Sequence, residues 1–282
     1  MLNNTDYNFV IKPKRTLWEI DLKEIWRYRD LLFLLVKRDF ISVYKQTILG
    51  PIWFFIQPLL ITVTFTIIFG QVAKISTGGV PEILFYLTGI TFWNYFSTCL
   101  TSTSNTFVSN ASVFGKVYFP RLIVPLSVII SNLMKLGIQL LLLVIVWVYY
   151  LVNNNNIQPQ WELVFFPFYL LVFALMGLGF GLIFSALTTK YRDLTFLIAF
   201  GVQLLMYASA VIFPASIVSV DKQWMLFLNP LVSLMEAIKF SFLGQGIFSW
   251  FYLAYSSIFT LVILLIGVLV FNKVEKGFID TV

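Results

Sequence analysis

Long apolar stretches, each close to the length needed to cross a lipid bilayer, dominate this sequence. Hydrophobic residues make up 59% of its 282 positions, and only 11% are charged. A helix of about 20 apolar residues crosses a hydrocarbon core roughly 30 Å thick. The pattern predicts an all-α integral membrane protein with six transmembrane helices, at about 48–70, 83–104, 122–151, 163–187, 194–213 and 250–271. The second is the weakest, because hydroxyl and amide residues interrupt it.

The basic residues predict the orientation of the chain. With six spans, fifteen Lys and Arg residues fall on one side and three fall on the other, namely Lys74, Lys222 and Lys239. Because cytoplasmic loops collect Lys and Arg, both termini are expected in the cytoplasm. The chain then divides into a cytoplasmic segment (1–47), a transmembrane domain (48–271) with an external segment at 214–249, and a cytoplasmic tail (272–282).

The residue types present argue against several kinds of function. The chain has no histidine, a single cysteine and no nucleotide-binding motif, so we expect no catalytic residue, no metal site and no cofactor bound by the chain itself. Its net charge of +6 follows the topology and the anionic inner leaflet, and no soluble basic face indicates nucleic acid. Lys135 is the only Lys, Arg, Asp or Glu well inside the six runs, whereas ion-driven carriers usually hold several intramembrane acids.

The second half of the N-terminal segment has the pattern of an amphipathic interfacial helix. At 100° per residue, Leu32, Val36 and Phe40 fall on one face, while Arg38, Ser42 and Lys45 fall opposite. A helix of this kind lies in the plane of the lipid headgroups. It is expected to be a simple anchor or an element that docks on a cytoplasmic partner, and the two roles are compatible.

A second cytoplasmic element runs from Asn105 to Arg121. It ends in Tyr118 and Phe119, followed by Pro120 and Arg121, and Pro120 predicts a helix boundary. Exposed aromatic residues followed by a cation are suited to insertion into a groove of a partner. A loop anchored at the interface by its aromatic residues has the same appearance.

Three features inside the spans are candidates for packing or for a transport pathway. Gly177, Gly181 and Ser185 recur every four residues, which favours close helix packing over a pathway lining. Lys135 either contacts an anionic substrate or extends its ammonium toward the headgroups. Aromatic residues, which serve as stacking surfaces for sugars or as interfacial belts, are the candidate channel lining: Phe92, Trp93, Tyr95, Phe96, Tyr207 and Phe213.

The external segment 214–249 is too apolar for a solvated loop and too interrupted to span. Apolar residues surround Asn229 and Pro230, and Leu231, Leu234, Met235, Ile238 and Phe242 form a helical stripe, with Glu236 and Lys239 off it. The pattern predicts two short re-entrant helices around the Asn–Pro turn. Broken backbone at membrane depth requires protein or a water cavity to satisfy it, so we expect an external gate near a pathway.

A resemblance to a known family rests on short motifs that occur in order along nearly the whole chain. They are Arg38-Asp39-Phe40, the stretch from Tyr44 to Trp53, Gln57-Pro58-Leu59, the stretch from Lys116 to Arg121, Tyr191-Arg192-Asp193-Leu194, Asn229-Pro230-Leu231 and Glu236-Ala237. Together they resemble the membrane subunits of ABC exporters for O-antigen and related cell-surface polysaccharides.

That resemblance implies a homodimer with a channel between the protomers and two cytoplasmic ABC ATPase subunits, which would bind ATP and Mg²⁺. The implied cargo is a polysaccharide on an undecaprenyl-diphosphate carrier. By position, the candidate ATPase contacts are Asp39, Tyr44, Lys116, Tyr118, Phe119 and Arg121, and Asn229 and Pro230 belong to the external gate.

Cations near the cytoplasmic entrance are expected to hold the diphosphate, because Arg and Lys bind phosphate through charge-assisted hydrogen bonds. The candidates are Arg38 and Lys45, then Arg29, with Lys135 deeper in the membrane.

Other cargoes and classes stay open. Exporters of teichoic acid, capsule or small molecules share this architecture, and an ion-driven carrier or a signalling scaffold belongs to a different class. An enzyme is disfavoured, because Glu82, Glu162, Asp221 and Glu236 show no paired spacing.

Overall fold

The structure, a computed structural model, describes residues 22–45, 47–114, 117, 119–153 and 157–278. These residues form helices and connecting turns, and no β-strand. The α-helices are α1 (Leu22–Arg27), α2 (Arg29–Tyr44), α3 (Trp53–Phe65), α4 (Glu82–Ser104), α5 (Thr106–Phe114), α6 (Ile123–Asn153), α7 (Phe166–Lys190), α8 (Leu194–Tyr207), α9 (Val220–Phe227), α10 (Pro230–Leu243) and α11 (Trp250–Phe278). The prediction of an all-helical fold is confirmed for this part of the chain.

Four of the predicted spans are long, apolar helical segments in the structure. They are Gly50–Val72, Ile123–Asn153, Trp161–Lys190 and Trp250–Glu275, and α9 with α10 would make a fifth if that bent pair is one span. The α4 helix has 23 residues, enough to cross a bilayer by length, but its hydroxyl residues lower its hydropathy. The α8 helix has only 14 residues, so the chain leaves the helix at Tyr207 rather than continuing to Phe213 as predicted. The total of six spans stays a prediction.

The α7 helix lies at the centre of the bundle, between α4 and α11. A Cβ atom added to Gly181 would lie 2.5 Å from the Cβ of Thr103 on α4, and one added to Gly177 would lie 2.9 Å from the Cβ of Cys99. On another face of α7, a Cβ on Gly179 would lie 2.9 Å from the backbone nitrogen of Leu264 on α11. The small residues therefore provide close helix packing, the alternative that the four-residue spacing favours.

Most residues of the α4 helix are buried, and its aromatic residues belong to the main core. The rings of Phe92 and Phe173 on α7 stack with their centroids 6.4 Å apart, and Phe92 also meets Phe242 on α10 at 6.3 Å. The hydroxyls of Thr88 and Thr91 donate to backbone carbonyls one turn earlier, so these polar groups are satisfied within the helix.

The α4 helix also separates two ends of the molecule. Phe85, near its start, contacts the α10 helix through Lys239, while Thr101, near its end, lies close to α2. Sixteen residues at 1.5 Å each place these two positions about 24 Å apart along the helix. We call them the α10 end and the α2 end of the molecule.

The α2 helix packs along α6 at the α2 end. Leu35 and Val36 are buried there, whereas Phe33 and Leu34 are exposed. On the predicted polar face of α2, Arg38 and Ser42 line a cavity beside α6, which presents the polar side chains of Asn132 and Lys135 at this level.

Candidate functional site

A polar cavity of about 540 Å³ lies at the α2 end, between α2, α4, α5 and α6. It brings together two cations that the sequence placed in different elements, Arg38 on α2 and Lys135 on α6. The remaining wall is largely hydroxyl and amide groups, with three valines, and consists of Asp39, Ser42, Thr101, Ser102, Asn105, Ser109, Asn110, Val113, Val124, Val128, Ser131 and Asn132.

The two cations differ in how they are held. The ammonium of Lys135 donates one hydrogen bond, of 3.0 Å, to the Oδ1 atom of Asn132. The guanidinium of Arg38 forms a close pair with the neighbouring Asp39, since its Nη2 and Nε atoms lie 2.7 and 2.9 Å from Asp39 Oδ1. Asp39 and Lys135 line the same cavity as Arg38, so one acid accompanies two bases there.

The other two predicted entrance cations lie outside this cavity. Lys45 is exposed at the C-terminal end of α2. Arg29 lies at the opposite end of the same helix, 3.9 Å from Asp30, with its guanidinium 5.7 Å from the centre of the Trp26 ring. The structure therefore groups Arg38 with Lys135 and leaves Lys45 and Arg29 apart from them.

Two of the six predicted ATPase contacts lie in the interior of the protein. Phe119 and Arg121 are buried, 5% and 6% exposed, and Arg121 donates a 3.0 Å hydrogen bond to the carbonyl of Glu275 on α11. Burial lowers the pKa of Arg121, against an upward effect of the Glu275 carboxylate. Insertion of Phe119 into a groove of a partner does not fit this placement, because the ring already packs against Phe114, at 5.7 Å.

The remaining ATPase candidates are less defined. Asp39 lines the polar cavity and pairs with Arg38. Lys116 and Tyr118 lie outside the described residues, and Tyr44 is the last residue of α2.

The predicted channel-lining aromatics also separate into two groups. Phe92, Trp93, Tyr95 and Phe96 on α4 are buried in the protein core. Tyr207, at the end of α8, is exposed, and Phe213 is half-buried in the turn that follows. Within one protomer, the aromatic cluster on α4 thus serves packing.

Two exposed stripes that the sequence analysis missed lie on helices flanking α4. On the span that contains α3, the exposed residues include Gln57, Leu60, Thr64, Ile67 and Gln71. On α8 they include Phe196, Phe200, Gln203 and Tyr207. The three glutamine side chains form no hydrogen bond within the described part of the chain, and an unpaired amide facing hydrocarbon is costly. The residues of each stripe are three or four positions apart, and this spacing was the signal available in the sequence.

The α10 end contains the predicted Asn–Pro turn, and Asn229 joins three elements there. Its Oδ1 atom accepts a 3.1 Å hydrogen bond from the backbone of Leu231, which caps α10, and Pro230 occupies the first turn. Its amide nitrogen donates to the carbonyl of Ala208 and to the hydroxyl of Ser209, both at 3.0 Å. The bend between α9 and α10 is 111°.

Glu236 and Lys239 are the second feature that sequence reasoning missed. Their side chains are 0% and 1% exposed, and the Lys239 ammonium lies 3.9 Å from the Glu236 carboxylate. Lys239 donates to the carbonyl oxygens of Ala210 and Phe213, and Glu236 accepts from the backbone N–H groups of Ala215 and Ile247. The pair therefore satisfies the backbone where the helices break. Its signal was an acid and a base three residues apart in an apolar segment.

The described residues hold no cluster of His, Cys, Asp or Glu that could bind a metal ion. What the molecule presents is a packed helical bundle with a cationic cavity at one end, a broken and internally satisfied backbone at the other, and polar stripes on its outer surface. Together with at least four helices that are long and apolar enough to span a bilayer, these features define a helical membrane protein.

Residues 30–243 match the ABC-2 type transporter membrane family, and the chain belongs to that family. It is a permease-type membrane component of an ABC transporter system, in which ATPase subunits are partners.

Curated relatives align along almost the whole chain. The O-antigen export system permease protein RfbA of Klebsiella pneumoniae is 26% identical over 255 residues, covering 89% of this chain and 94% of the relative. A protein of the same name from Myxococcus xanthus is 28% identical over 220 residues, covering 77% and 82%. The polysialic acid transport protein KpsM of Escherichia coli is 24% identical over 267 residues, covering 89% and 95%.

Proposed function

We propose that this chain is the membrane subunit of an ATP-driven exporter that moves a lipid-linked polysaccharide outward across the bacterial inner membrane. The observation that carries the proposal is the length of the alignment with polysaccharide permeases, since 89% of this chain pairs with 94% of an O-antigen permease. The absence of a nucleotide-binding motif from the sequence is consistent with ATP and Mg²⁺ being bound by separate ABC ATPase subunits.

In this proposal two copies of the chain form a homodimer with the channel between them. Each copy has six spans, one of which is α4, a buried helix whose Thr88 and Thr91 hydroxyls are satisfied by its own backbone. The α2 end faces the cytoplasm, together with both termini, and α9 and α10 form an external gate. The stripes on α3 and α8 support a channel outside the single protomer, because both helices pack on α4 and expose amide and aromatic side chains.

A polysaccharide has to slide rather than bind in one place, so its path needs weak, repeated contacts. Aromatic rings offer stacking surfaces to sugars, and glutamine side chains offer both donors and acceptors. The stripe of Phe196, Phe200, Gln203 and Tyr207 supplies both kinds of contact along one helix face. The same glutamines would be poorly placed against lipid chains.

Depletion of the chain in its native cell tests the cargo. We expect lipid-linked polysaccharide to accumulate on the cytoplasmic leaflet while the surface polymer is lost, and analysis of the stranded polymer separates O-antigen from capsule or teichoic acid. A normal surface coat with no stranded intermediate, in a strain without a second exporter, would favour a small-molecule cargo.

Water accessibility tests the channel separately from the cargo. In a Cys99→Ser background, we expect Gln57→Cys and Gln203→Cys to react with a membrane-impermeant maleimide. Leu141→Cys is the matched control, because Leu141 is exposed on α6 with apolar neighbours such as Ile145. Equal labelling at all three positions, or none at Gln57 and Gln203, would contradict a water-filled path along these stripes.

A further inference from the structure

The cavity at the α2 end has a mouth and a closed inner wall. The side chain of Arg38 is 45% exposed, and Ser102 and Ser109 are exposed beside it, so these residues surround the opening. Ser131 and Asn132 are buried and form the inner wall, next to Lys135. The volume of about 540 Å³ lies within the range of roughly 300–1,000 Å³ that is usual for small-molecule sites.

Lys135 retains hydrogen-bonding capacity that the protein does not use. An ammonium group carries three donors, and the described residues provide one acceptor, Asn132 Oδ1. A lysine at such depth in a membrane helix costs about 2.5–3.5 kcal/mol to insert and usually faces a cavity or a partner. Two donors in a polar cavity are therefore available to an acceptor from outside the chain.

Asp39 fixes the orientation of the Arg38 guanidinium, but Arg38 retains N–H donors that bind no acceptor in the cavity. Two of its five N–H groups point to Asp39 Oδ1, which leaves three for another acceptor. Among the residues that line the cavity, two bases face one acid, so the site carries a net positive charge. Asp39 keeps the guanidinium at the mouth, while Lys135 supplies charge at the inner end.

Several hydroxyl and amide groups of the wall already donate to their own helices. The hydroxyls of Ser42, Thr101 and Ser131 donate to backbone carbonyls of α2, α4 and α6, respectively. The hydroxyls of Ser102 and Ser109 form no hydrogen bond within the described residues, so each has a free donor at the mouth. These two free hydroxyl donors line the same cavity as the two cations.

We propose that this cavity binds a phosphate-bearing headgroup, with Lys135 and Arg38 as its two charged contacts. A phosphate group offers several anionic oxygens and accepts charge-assisted hydrogen bonds from both Arg and Lys. The cavity opens beside α2, a helix with basic and apolar residues of the kind that lies among headgroups. That the headgroup is the diphosphate of a polysaccharide carrier rests on the proposed function, whereas phosphate recognition itself does not.

Binding of inorganic pyrophosphate to the purified full-length protein tests the site. A ligand that binds the native state raises the thermal midpoint, so a titration followed by thermal unfolding gives an apparent dissociation constant. Loss of one charged hydrogen-bonding partner is expected to weaken binding about 10- to 100-fold in Lys135→Met and in Arg38→Gln. Lys37→Gln is the matched control, because Lys37 is exposed on α2 and does not line the cavity.

Three results would overturn the proposal. They are no stabilisation of the wild-type protein beyond that of chloride at equal ionic strength, equal binding in both cavity variants and the wild type, or an equal loss in Lys37→Gln. Size-exclusion profiles without ligand show whether each variant is folded. Because the assay contains no polysaccharide, a failure here leaves the export proposal intact, and a failed depletion experiment leaves the phosphate site intact.

A lipid competition experiment identifies the source of the phosphate. Native mass spectrometry of the protein with equal amounts of a polyprenyl diphosphate and phosphatidylglycerol measures which lipid is retained. Selective retention of the diphosphate, lost in Lys135→Met, supports a site for the carrier. Equal retention of both, again lost in the variant, supports a site for bulk lipid phosphate. Retention of either lipid that is unchanged in the variant argues against the cavity.

Discussion

Lys239 on α10 and Lys135 on α6 lie near opposite ends of α4, and they differ in how completely the protein surrounds them. Lys239 is 1% exposed, contacts a carboxylate at 3.9 Å, donates to two carbonyls and lies 3.9 Å from the centre of the Phe85 ring. Lys135 lies in a polar cavity and has one hydrogen bond. A charge that the protein satisfies fully is part of the framework, whereas one left partly unsatisfied in a cavity is available to a ligand.

The backbone around each lysine explains why the chain keeps it. The turn after α8 has carbonyl groups that no helix satisfies, and Ala210 within it has a left-handed backbone conformation with a φ of 52°. Buried carbonyl groups of this kind need a partner from the protein, and Lys239 supplies it. The helix around Lys135 is continuous, so its backbone needs nothing from the side chain.

The largest expected effect is at Lys239. Lys239→Met leaves Glu236 buried without its cation and two carbonyls without their donor, and breaking such a pair costs about 3–5 kcal/mol. We expect a lower yield and a large fall in the thermal midpoint, measured by heating followed by size-exclusion chromatography. The Glu236→Gln/Lys239→Met double variant removes both charges and should recover part of the loss. A single variant as stable as the wild type would break the comparison.

The comparison of the two lysine sites also requires a tight contact between α4 and α7, because α4 contributes a residue to each site. Gly181→Ala places a methyl group 2.5 Å from the Cβ of Thr103, and overpacking of this kind costs about 1–3 kcal/mol. Gly201→Ala is the control in another helix, since no heavy atom lies within 4 Å of an added Cβ there. Equal thermal midpoints for the two variants would show that the α4–α7 contact is looser than described.

The sequence predicted the elements better than it predicted what faces them. Period and length identify α3, α6, α7 and α11, because a helix that must cross a bilayer is apolar along its length. Periodicity also groups Arg38 with Ser42, but it cannot show that α6 presents Lys135 and Asn132 to that face. The same limit applied to Glu236 and Lys239, which lie off the apolar stripe of α10 yet face a broken backbone.

The aromatic residues on α4 show the same limit: the sequence does not predict which neighbours a side chain contacts. Phe92, Trp93, Tyr95 and Phe96 were candidates for a sugar-stacking surface because of their chemistry alone. In the structure they pack on neighbouring helices, where large rings fill space most effectively. Residues such as Gln57 and Gln203 only reduced the apolarity of their runs, so composition gave no reason to select them. Which residues face outward is decided by tertiary packing.

A smaller effect separates two asparagines, each placed near one of the lysine sites. Asn229→Ala removes the cap of α10 and two hydrogen bonds to the end of α8, and loss of a helix cap costs about 0.5–2 kcal/mol. Asn132→Ala removes the acceptor for Lys135 and a side-chain contact with Cys99 but no helix cap, and it should change the thermal midpoint less. Equal losses would indicate that the α2 end is as tightly held as the α10 end.

The smallest effect on stability is expected at Lys135, although the substitution is the same as at Lys239. Lys135→Met removes a partly buried charge with one hydrogen bond, and an apolar replacement of an incompletely satisfied charge is often neutral or stabilising. We expect the thermal midpoint without ligand to stay within the change typical of a surface substitution, about 0.5 kcal/mol in stability. A loss as large as that of Lys239→Met would place Lys135 in the framework and remove its surplus donors as the basis for a ligand. An unchanged midpoint, together with weaker pyrophosphate binding, would identify Lys135 as a ligand contact and distinguish it from Lys239, which is a structural charge of the same protein.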